Sequence, residues 1–249
     1  MISIHHVSKV FNRGKPNEVV ALEDVSLQIN KGEFVVIIGA NGSGKTTLLN
    51  IIGGAEMPSA GSIEINGTDV TKLPEYKRSK WVARVFQNPN NGTAPDLTIL
   101  DNFRLASLRT GQKNLSIGTN AAFKRKVQDK IAILGMGLEN KINQSMGNLS
   151  GGQRQALTLL MSVMDDTHIL LLDEPTAALD PRSALLVLNL AHKLHTDLGI
   201  TTVLITHNLK EALHYGNRLL QINNGKINRD LNTETKSNLS LQEIYKWFE

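Results

Sequence analysis

Residues Gly39 to Thr47 read Gly-Ala-Asn-Gly-Ser-Gly-Lys-Thr-Thr and follow the apolar run Phe34-Val35-Val36-Ile37-Ile38. The spacing is G-x-x-x-x-G-K-[ST], set between a strand-like run and the helix-like Leu48-Leu49-Asn50-Ile51-Ile52, the context this motif requires. Gly39, Gly42 and Gly44 let a loop wrap closely, so that backbone N–H groups of Ala40, Asn41, Ser43 and Thr47 can converge on one set of phosphate oxygens. A helix starting near Lys45 adds its positive N-terminal end to the same anion. Lys45 supplies a mobile full charge for β and γ phosphates, and the Thr46 hydroxyl can join the shell of a Mg²⁺ ion. A glycine-rich turn that binds nothing is the bland alternative, and the flanking strand and helix argue against it. These residues imply a site for a nucleoside triphosphate.

A second constellation lies in Ile169-Leu170-Leu171-Leu172-Asp173-Glu174, an apolar strand ending in two adjacent carboxylates. Asp173, at the strand end beside the phosphate loop, is placed to hold Mg²⁺, directly or through water. Glu174, one residue on, is the natural candidate to polarise a water that attacks the γ-phosphate. Acids after an apolar run are common at strand-to-loop boundaries; a preceding phosphate loop is what gives this pair weight. The third constellation is Leu149-Ser150-Gly151-Gly152-Gln153, opening a long apolar helix through Ala156 to Met161. Ser150 reads as a helix N-cap, and a cap is often all such a residue is. Yet it is a second phosphate-ready helix N-terminus in a chain with one carboxylate pair, which suits closure over a nucleotide held by another copy.

The elements that must position these residues show in the hydropathy pattern. Val35 to Ile38, Ile169 to Leu172 and Val203-Leu204-Ile205 are short, wholly apolar runs, as expected of parallel strands buried on both faces. Val25-Ser26-Leu27-Gln28-Ile29 and Ser62-Ile63-Glu64-Ile65 alternate like half-buried strands. Asn66-Gly67 and Asn224-Gly225 are hairpin turns, so antiparallel hairpins flank the parallel core at both ends. From about Thr98 to Met164 the pattern turns helical: Phe123, Val127, Ile131 and Leu134 line one face of a helix over Ala121 to Leu134. This stretch reads as a helical subdomain, about 89–164, inserted into the sheet domain. Ser240-Leu241-Gln242-Glu243 forms a capping box before a short terminal helix, in a tail over 231–249.

The bulk properties narrow the class. The 249 residues are 41% hydrophobic and 20% charged, ordinary for a globular chain with one large domain. No apolar stretch approaches the ~18 residues of a membrane span. The N-terminus, Met1 to His6, lacks the basic-then-apolar layout of a signal peptide. No cysteine is present, which removes disulfide and thiolate-metal chemistry and fits a reducing cytoplasm. The net charge of +4 is spread rather than clustered, so it reads as a solvated surface and not a nucleic-acid interface. His192 and His195, i,i+3 on a helix, show no convincing metal spacing.

With these motifs in hand, the chain resembles the ATP-binding subunit of an ABC transporter. The family's motifs come in order: Gly39 to Thr46 as phosphate loop, Gln87 as Q-loop, and Leu149 to Gln153 as signature. Asp173-Glu174, Ala178-Leu179-Asp180 as D-loop and His207 as switch histidine follow. The resemblance covers about Ile4 to Arg229 and implies an α/β fold: a RecA-like P-loop NTPase core, an antiparallel β subdomain and an inserted helical subdomain. It implies ATP and Mg²⁺ as ligands, and a head-to-tail homodimer or heterodimer in which Ser150, Gly151 and Gly152 clamp the γ-phosphate of the opposite subunit. Gln87 would sense Mg²⁺ and the attacking water, and His207 would orient the γ-phosphate and that water. On residue type alone a Gln or His after a strand is just a loop residue. Phe11, within Val7 to Phe11, falls where the family stacks an aromatic ring on adenine, more often a Tyr; a core or surface role for Phe11 stays open.

Thr71 to Arg78, Val85-Phe86-Gln87 and Leu149 to Met161 resemble a bacterial uptake subgroup, some of whose members are linked to aromatic amino acids such as tryptophan. That implies a separate transmembrane permease, a substrate-binding protein, and a place on the inner, cytoplasmic face of the cell membrane. Asn88 to Asp101, rich in Asn, Pro and Gly, reads as a mobile docking joint for the permease. Two rivals remain at this stage. One is the ATPase of an exporter or lipid-extraction system. The other is a soluble ABC-type ATPase acting on DNA or ribosomes, against which stands the absence of coiled coils, zinc cysteines and a tandem second head.

Overall fold

The computed structural model describes residues 1–109 and 118–248. Three strands expected from wholly apolar runs are present: β3 (Phe34–Ile38), β7 (Ile169–Asp173) and β8 (Thr201–Ile205), every residue of each buried. They are the middle of a six-stranded sheet with order β10-β9-β3-β8-β7-β6, completed by β6 (Val82–Val85), β9 (Arg218–Asn223) and β10 (Lys226–Leu231). All pairings are parallel except the β9–β10 hairpin. A second sheet, order β2-β1-β4-β5, is antiparallel and joins β1 (Ile2–Phe11), β2 (Val19–Ile29), β4 (Ala60–Ile65) and β5 (Thr68–Asp69). Both expected hairpins turn through left-handed backbone, Asn66 at φ 51° with Gly67 at 74°, and Asn224 at 48° with Gly225 at 74°. That pair of positive φ values is the type I′ geometry that matches strand twist.

Side-chain alternation divides the parallel sheet between two cores. Val35, Ile37, Leu171, Val203 and Ile205 face a core shared with the antiparallel sheet and with α1 (Lys45–Gly53), which contributes Leu48, Leu49, Ile51 and Ile52. Val36, Ile38, Leu170, Leu172 and Leu204 face the other core. That one is covered by α3 (Ile99–Ala106), α4 (Ala121–Ala132), α5 (Gly151–Ser162) and α6 (Pro181–Leu198), preceded in the chain by the short α2 (Glu75–Arg78). Val127 and Ile131 of the expected helical face are buried there, with Phe123 and Leu134 packed against them. Of the helical stretch expected over 89–164, residues 110–117 lie outside the described residues.

After α7 (Leu209–His214) and the β9–β10 hairpin, the chain ends in α8 (Thr233–Ser237) and α9 (Leu241–Tyr245). Ser240 and Glu243 form the expected capping box. This tail is built into the domain: Ile244 is fully buried in the helical core, and the Gln221 amide donates to the Trp247 carbonyl at 3.1 Å. Lys236, only 5% exposed, donates to the Tyr215 and Gly216 carbonyls. Burial pushes its ammonium down to about 8.

Candidate functional site

Parallel strands deliver their following loops to one edge of the sheet, and that edge is where ligands bind in folds of this kind. β3 runs into Gly39–Gly44, β6 into Phe86-Gln87, β7 ends in Asp173 before Glu174, and β8 leads to Thr206-His207. Sheet topology thus gathers residues scattered over most of the sequence.

The phosphate loop is packed from beneath. A Cβ on Gly44, whose φ is 107°, would lie 2.4 Å from the Ala21 carbonyl, and one on Gly39 would lie 2.2 Å from the Ile222 carbonyl. The β9–β10 turn supports the loop through Gly225 N–H to the Ser43 carbonyl at 2.9 Å. Ala40, Asn41, Gly42 and Thr46 are exposed, Thr47 is half-buried, and Ser43 Oγ is a buried hydroxyl without a partner. The N-cap of α1 is Gly44, which offers no side-chain cap, and the first turn holds no acid. The first N–H groups of α1 therefore lack an internal side-chain acceptor, as an anion site requires.

Lys45 is not the free-swinging charge its sequence context implies. It is 5% exposed and donates to the Gly39 and Ala40 carbonyls at 2.9 and 2.8 Å. Burial lowers its pKa, opposed by the charges of Glu174 and Asp173. A buried ammonium must be hydrogen-bonded, and these two loop carbonyls satisfy it.

Asp173 is buried, and its Oδ1 accepts from the Thr46 hydroxyl at 3.3 Å. Gln87 is exposed and lines, with Asp173, Phe86 and Ala178, a cavity of about 520 Å³. Thr46, Gln87 and Asp173 form an all-oxygen donor set with a single carboxylate. Mg²⁺ accepts such a set when substrate phosphates supply the rest, so the residues fit that ion. Glu174 carries a left-handed backbone at φ 48°, although Pro175 follows it. That conformation is disfavoured for a side-chain-bearing residue and more so before proline. It is held by Glu174 N–H to the Ile205 carbonyl at 3.0 Å and by Oε2, 3.3 Å from His207 Nδ1. Glu174 and His207 are therefore brought together from different strand ends.

The signature residues stand apart from this cluster. Ser150 caps α5, accepting from Gln153 N–H at 3.3 Å, while Gln153 Oε1 accepts from Ser150 N–H at 3.1 Å. Gly151 is exposed, and a Cβ on Gly152 would lie 2.3 Å from Ser183 Oγ of α6. Among the described residues, no hydrogen bond or ion pair joins Ser150 to Gln153 with the phosphate loop, Asp173 or Glu174. Asp180 caps α6, accepting from the Arg182 and Ser183 N–H groups at 3.1 Å, and bonds from Ser183 hold its carboxyl below the usual range. Phe11 ends β1 half-buried opposite Val19, with Lys9 Nζ 4.7 Å above its ring; Val19 and Val20 beside it are 54% and 51% exposed.

The family model described as ABC transporter matches residues 22–177. The chain belongs to the ABC transporter family. A tyrosine transport ATP-binding protein of Clostridioides difficile (strain R20291) is 42% identical over 255 residues, covering 100% of this chain and 99% of that one. A phosphonates import ATP-binding protein of Lactococcus lactis subsp. cremoris (strain SK11) is 34% identical over 99% of each chain. Among solved structures, a dimeric ATP-binding cassette in a post-hydrolysis state with ADP and Pi is 30% identical. It has a TM-score of 0.81 and covers 94% of this chain and 99% of its own. The protein is thus the ATP-hydrolysing subunit of an ABC transporter, with the mixed α/β cassette fold that its motifs implied. Among the described residues no helix is long and apolar enough to cross a membrane.

Two polar side chains of this ABC ATPase tie the site together without having been singled out in the sequence. Gln155, fully buried on α5, donates its amide to the Phe86 carbonyl at 2.9 Å and the Pro175 carbonyl at 3.1 Å. It joins the strand that leads to Gln87 with the peptide after Glu174. Arg84 donates to Asp173 Oδ2 at 2.7 Å and to Asn50 Oδ1 at 2.6 Å. Its signal was a lone charge within the apolar run Trp81-Val82-Ala83-Arg84-Val85-Phe86. The Asn88 to Asp101 stretch, expected as a mobile joint, is pinned by Asn102: it accepts from Ala94 N–H at 2.8 Å and donates back to the Ala94 carbonyl at 2.9 Å.

Proposed function

We propose that this ATPase drives uptake of a small solute, an amino acid and aromatic ones foremost, as one of two subunits arranged head to tail beneath a separate permease. The observation that carries the substrate class is the full-length match, at 42% identity, to a protein named for tyrosine transport. A substrate-binding protein outside the membrane, an inner-face location and docking of the permease over Asn88 to Asp101 complete this reading. Either a second copy or a related chain can be the other ATPase subunit.

The chemistry assigned to the residues follows from their placement. The loop N–H groups from Gly39 to Thr47 and the uncapped start of α1 hold the phosphates, and Lys45 exchanges its two carbonyl partners for phosphate oxygens. Phe11, with Val19 and Val20, offers an apolar edge for the adenine. Thr46, Gln87 and Asp173 would hold Mg²⁺. When bound, that ion would neutralise charge on the β and γ oxygens. Glu174 takes the proton of the attacking water, and His207, 3.3 Å away, holds Glu174 in its unusual backbone pose and orients the γ-phosphate. Ser150, Gly151, Gly152 and Gln153, which make no hydrogen bond to their own chain's phosphate loop, serve the nucleotide of the partner, with Asp180 at the same interface. Because each site needs both chains, closure of the dimer and hydrolysis are linked, and the permease draws on that cycle.

The test is uptake of labelled tyrosine and tryptophan in cells whose sole copy of this chain is wild type or Glu174→Gln. Uptake of these amino acids is expected to collapse in the variant. Unchanged aromatic uptake, with loss of some other solute's uptake, would overturn the substrate assignment.

A further inference from the structure

Arg84 sits on β6, opposite Leu171 of β7 in the parallel register. Side chains alternate along a strand, so Arg84, Leu171 and Asp173 share one face of the sheet, the face covered by α1. On α1, Thr46 and Asn50 are four residues apart and so lie on one side of the helix, one turn above the other. The four polar residues close a ring. Thr46 Oγ1 donates to Asp173 Oδ1 at 3.3 Å, Arg84 Nη2 donates to Asp173 Oδ2 at 2.7 Å, and Arg84 Nη1 donates to Asn50 Oδ1 at 2.6 Å. The backbone of α1 between Thr46 and Asn50 is the fourth side.

The Arg84–Asp173 side of the ring is largely desolvated and braced. The Arg84 and Asp173 side chains are each 11% exposed, and the guanidinium lies 4.7 Å from the centre of the Phe86 ring. Its Nε is buried without a partner. A planar fork with two fixed acceptors, stacked on an aromatic face, has little freedom to turn. Its consequence for Asp173 is specific: Oδ2 is spoken for, and only Oδ1 faces Thr46. A short side chain at Arg84 would leave the carboxylate free to rotate about its own axis. A lysine could keep the charge but could not span Asp173 and Asn50 together.

We propose that Arg84 is the positioning residue of the metal-holding carboxylate, locking Asp173 so that a single oxygen is presented beside the Thr46 hydroxyl. This rests on the reading of Thr46 and Asp173 as holding Mg²⁺. Because Arg84 lies three residues before Gln87 on the same strand end, the lock also fixes Asp173 relative to the third residue of that donor set. Fixing a ligand's orientation through an outer partner typically changes metal affinity or activity by about 10–100-fold.

The experiment titrates Mn²⁺, as a paramagnetic stand-in, into full-length protein held in excess over ADP, and reads free Mn²⁺ by its spin-resonance signal. ADP affinity is measured separately in EDTA. Arg84→Gln is expected to weaken Mn²⁺ binding about tenfold while leaving ADP affinity in EDTA at the wild-type value, and Arg84→Lys to recover only part of it. A purely architectural role would lower both affinities together. Thr46→Ala serves as the reference for the metal site. If Thr46→Ala weakens Mn²⁺ binding and Arg84→Gln does not, the positioning role is wrong while the metal site stands. If neither weakens it, the metal site and this inference fall together. Should Arg84→Gln not fold, Asn50→Ala, which cuts the other anchor of the fork, decides: unchanged Mn²⁺ binding overturns the proposal, and several-fold weakening upholds it.

Discussion

Replacing Gln155 by leucine tests whether a side chain with no contact to the nucleotide loop holds the site's parts together. Gln155 is fully buried, and its amide is the donor to the Phe86 and Pro175 carbonyls. Leucine fills much the same space but takes the donor from both carbonyls, one buried and one part-buried, at about 1–3 kcal/mol each. Against this, the wild-type Oε1 is itself buried without a partner, and removing it returns about 1–3 kcal/mol. The balance is a net loss of about 1–3 kcal/mol, which for a domain of this size lowers the melting midpoint by about 2–12 °C. The functional effect should exceed the thermal one. Phe86 precedes Gln87, and Pro175 follows Glu174, so cutting the tether loosens two site residues at once. Differential scanning calorimetry and steady-state ATPase assays at 25 °C, well below the midpoint, separate the two effects. The expected result is a fall in kcat with ATP affinity retained. A Gln155→Leu protein that melts and hydrolyses like wild type would refute the tether.

Three further outcomes are expected. Glu174→Gln keeps shape and hydrogen bonding but removes the base, so kcat should drop about 10²–10⁴-fold with ATP binding intact; near wild-type turnover would sink the assignment. Lys45→Ala removes charge-assisted bonds of about 1.5–3 kcal/mol, or about ten- to a hundred-fold in ATP affinity, and calorimetry that finds binding unchanged would count against Lys45. Lys236 has its folded pKa depressed to about 8 from an ordinary 10.5, so the unfolded chain binds the extra proton between those values. Its contribution to stability is worst below pH 8 and improves as pH rises toward 10.5, by up to about 1.4 kcal/mol per pH unit. Urea denaturation of wild type and Lys236→Met across pH 7 to 10 should show the wild type gaining relative to the variant; a constant difference would contradict the burial argument.

What could be read from the sequence was whatever has a local cause. Strands β3, β7 and β8 are buried on both faces, so their apolar runs betray them, and two Asn-Gly turns mark both hairpins because few other residues tolerate their φ values. β1 was harder: left-handed His6 at φ 51° and register shifts after Ile4 and Val7 break the alternation that a strand search depends on. β6 hid because Arg84 interrupts a four-residue run. Ser150 illustrates a different limit. Its pattern announced a cap, and the structure has the cap; the partner-facing role proposed for it takes a second chain to be seen. The site's wiring was least legible of all, since Arg84 finds Asp173 across 89 residues and Gln155 finds Phe86 across 69. No periodicity reports such pairs. Glu174 even violates a local rule, adopting left-handed backbone before proline, because the Ile205 carbonyl and His207 outweigh its intrinsic preference.

The central claim is that two incomplete half-sites, phosphate loop and signature, are completed only by a second chain. In the Glu174→Gln background, where hydrolysis is slowed, ATP should convert monomers into dimers on a sizing column with light scattering. Adding Ser150→Arg leaves the phosphate loop untouched but places a bulky cation where the partner's nucleotide must sit. The account predicts ATP binding without dimerisation for that double variant. Dimerisation on ATP equal to that of Glu174→Gln alone would contradict it.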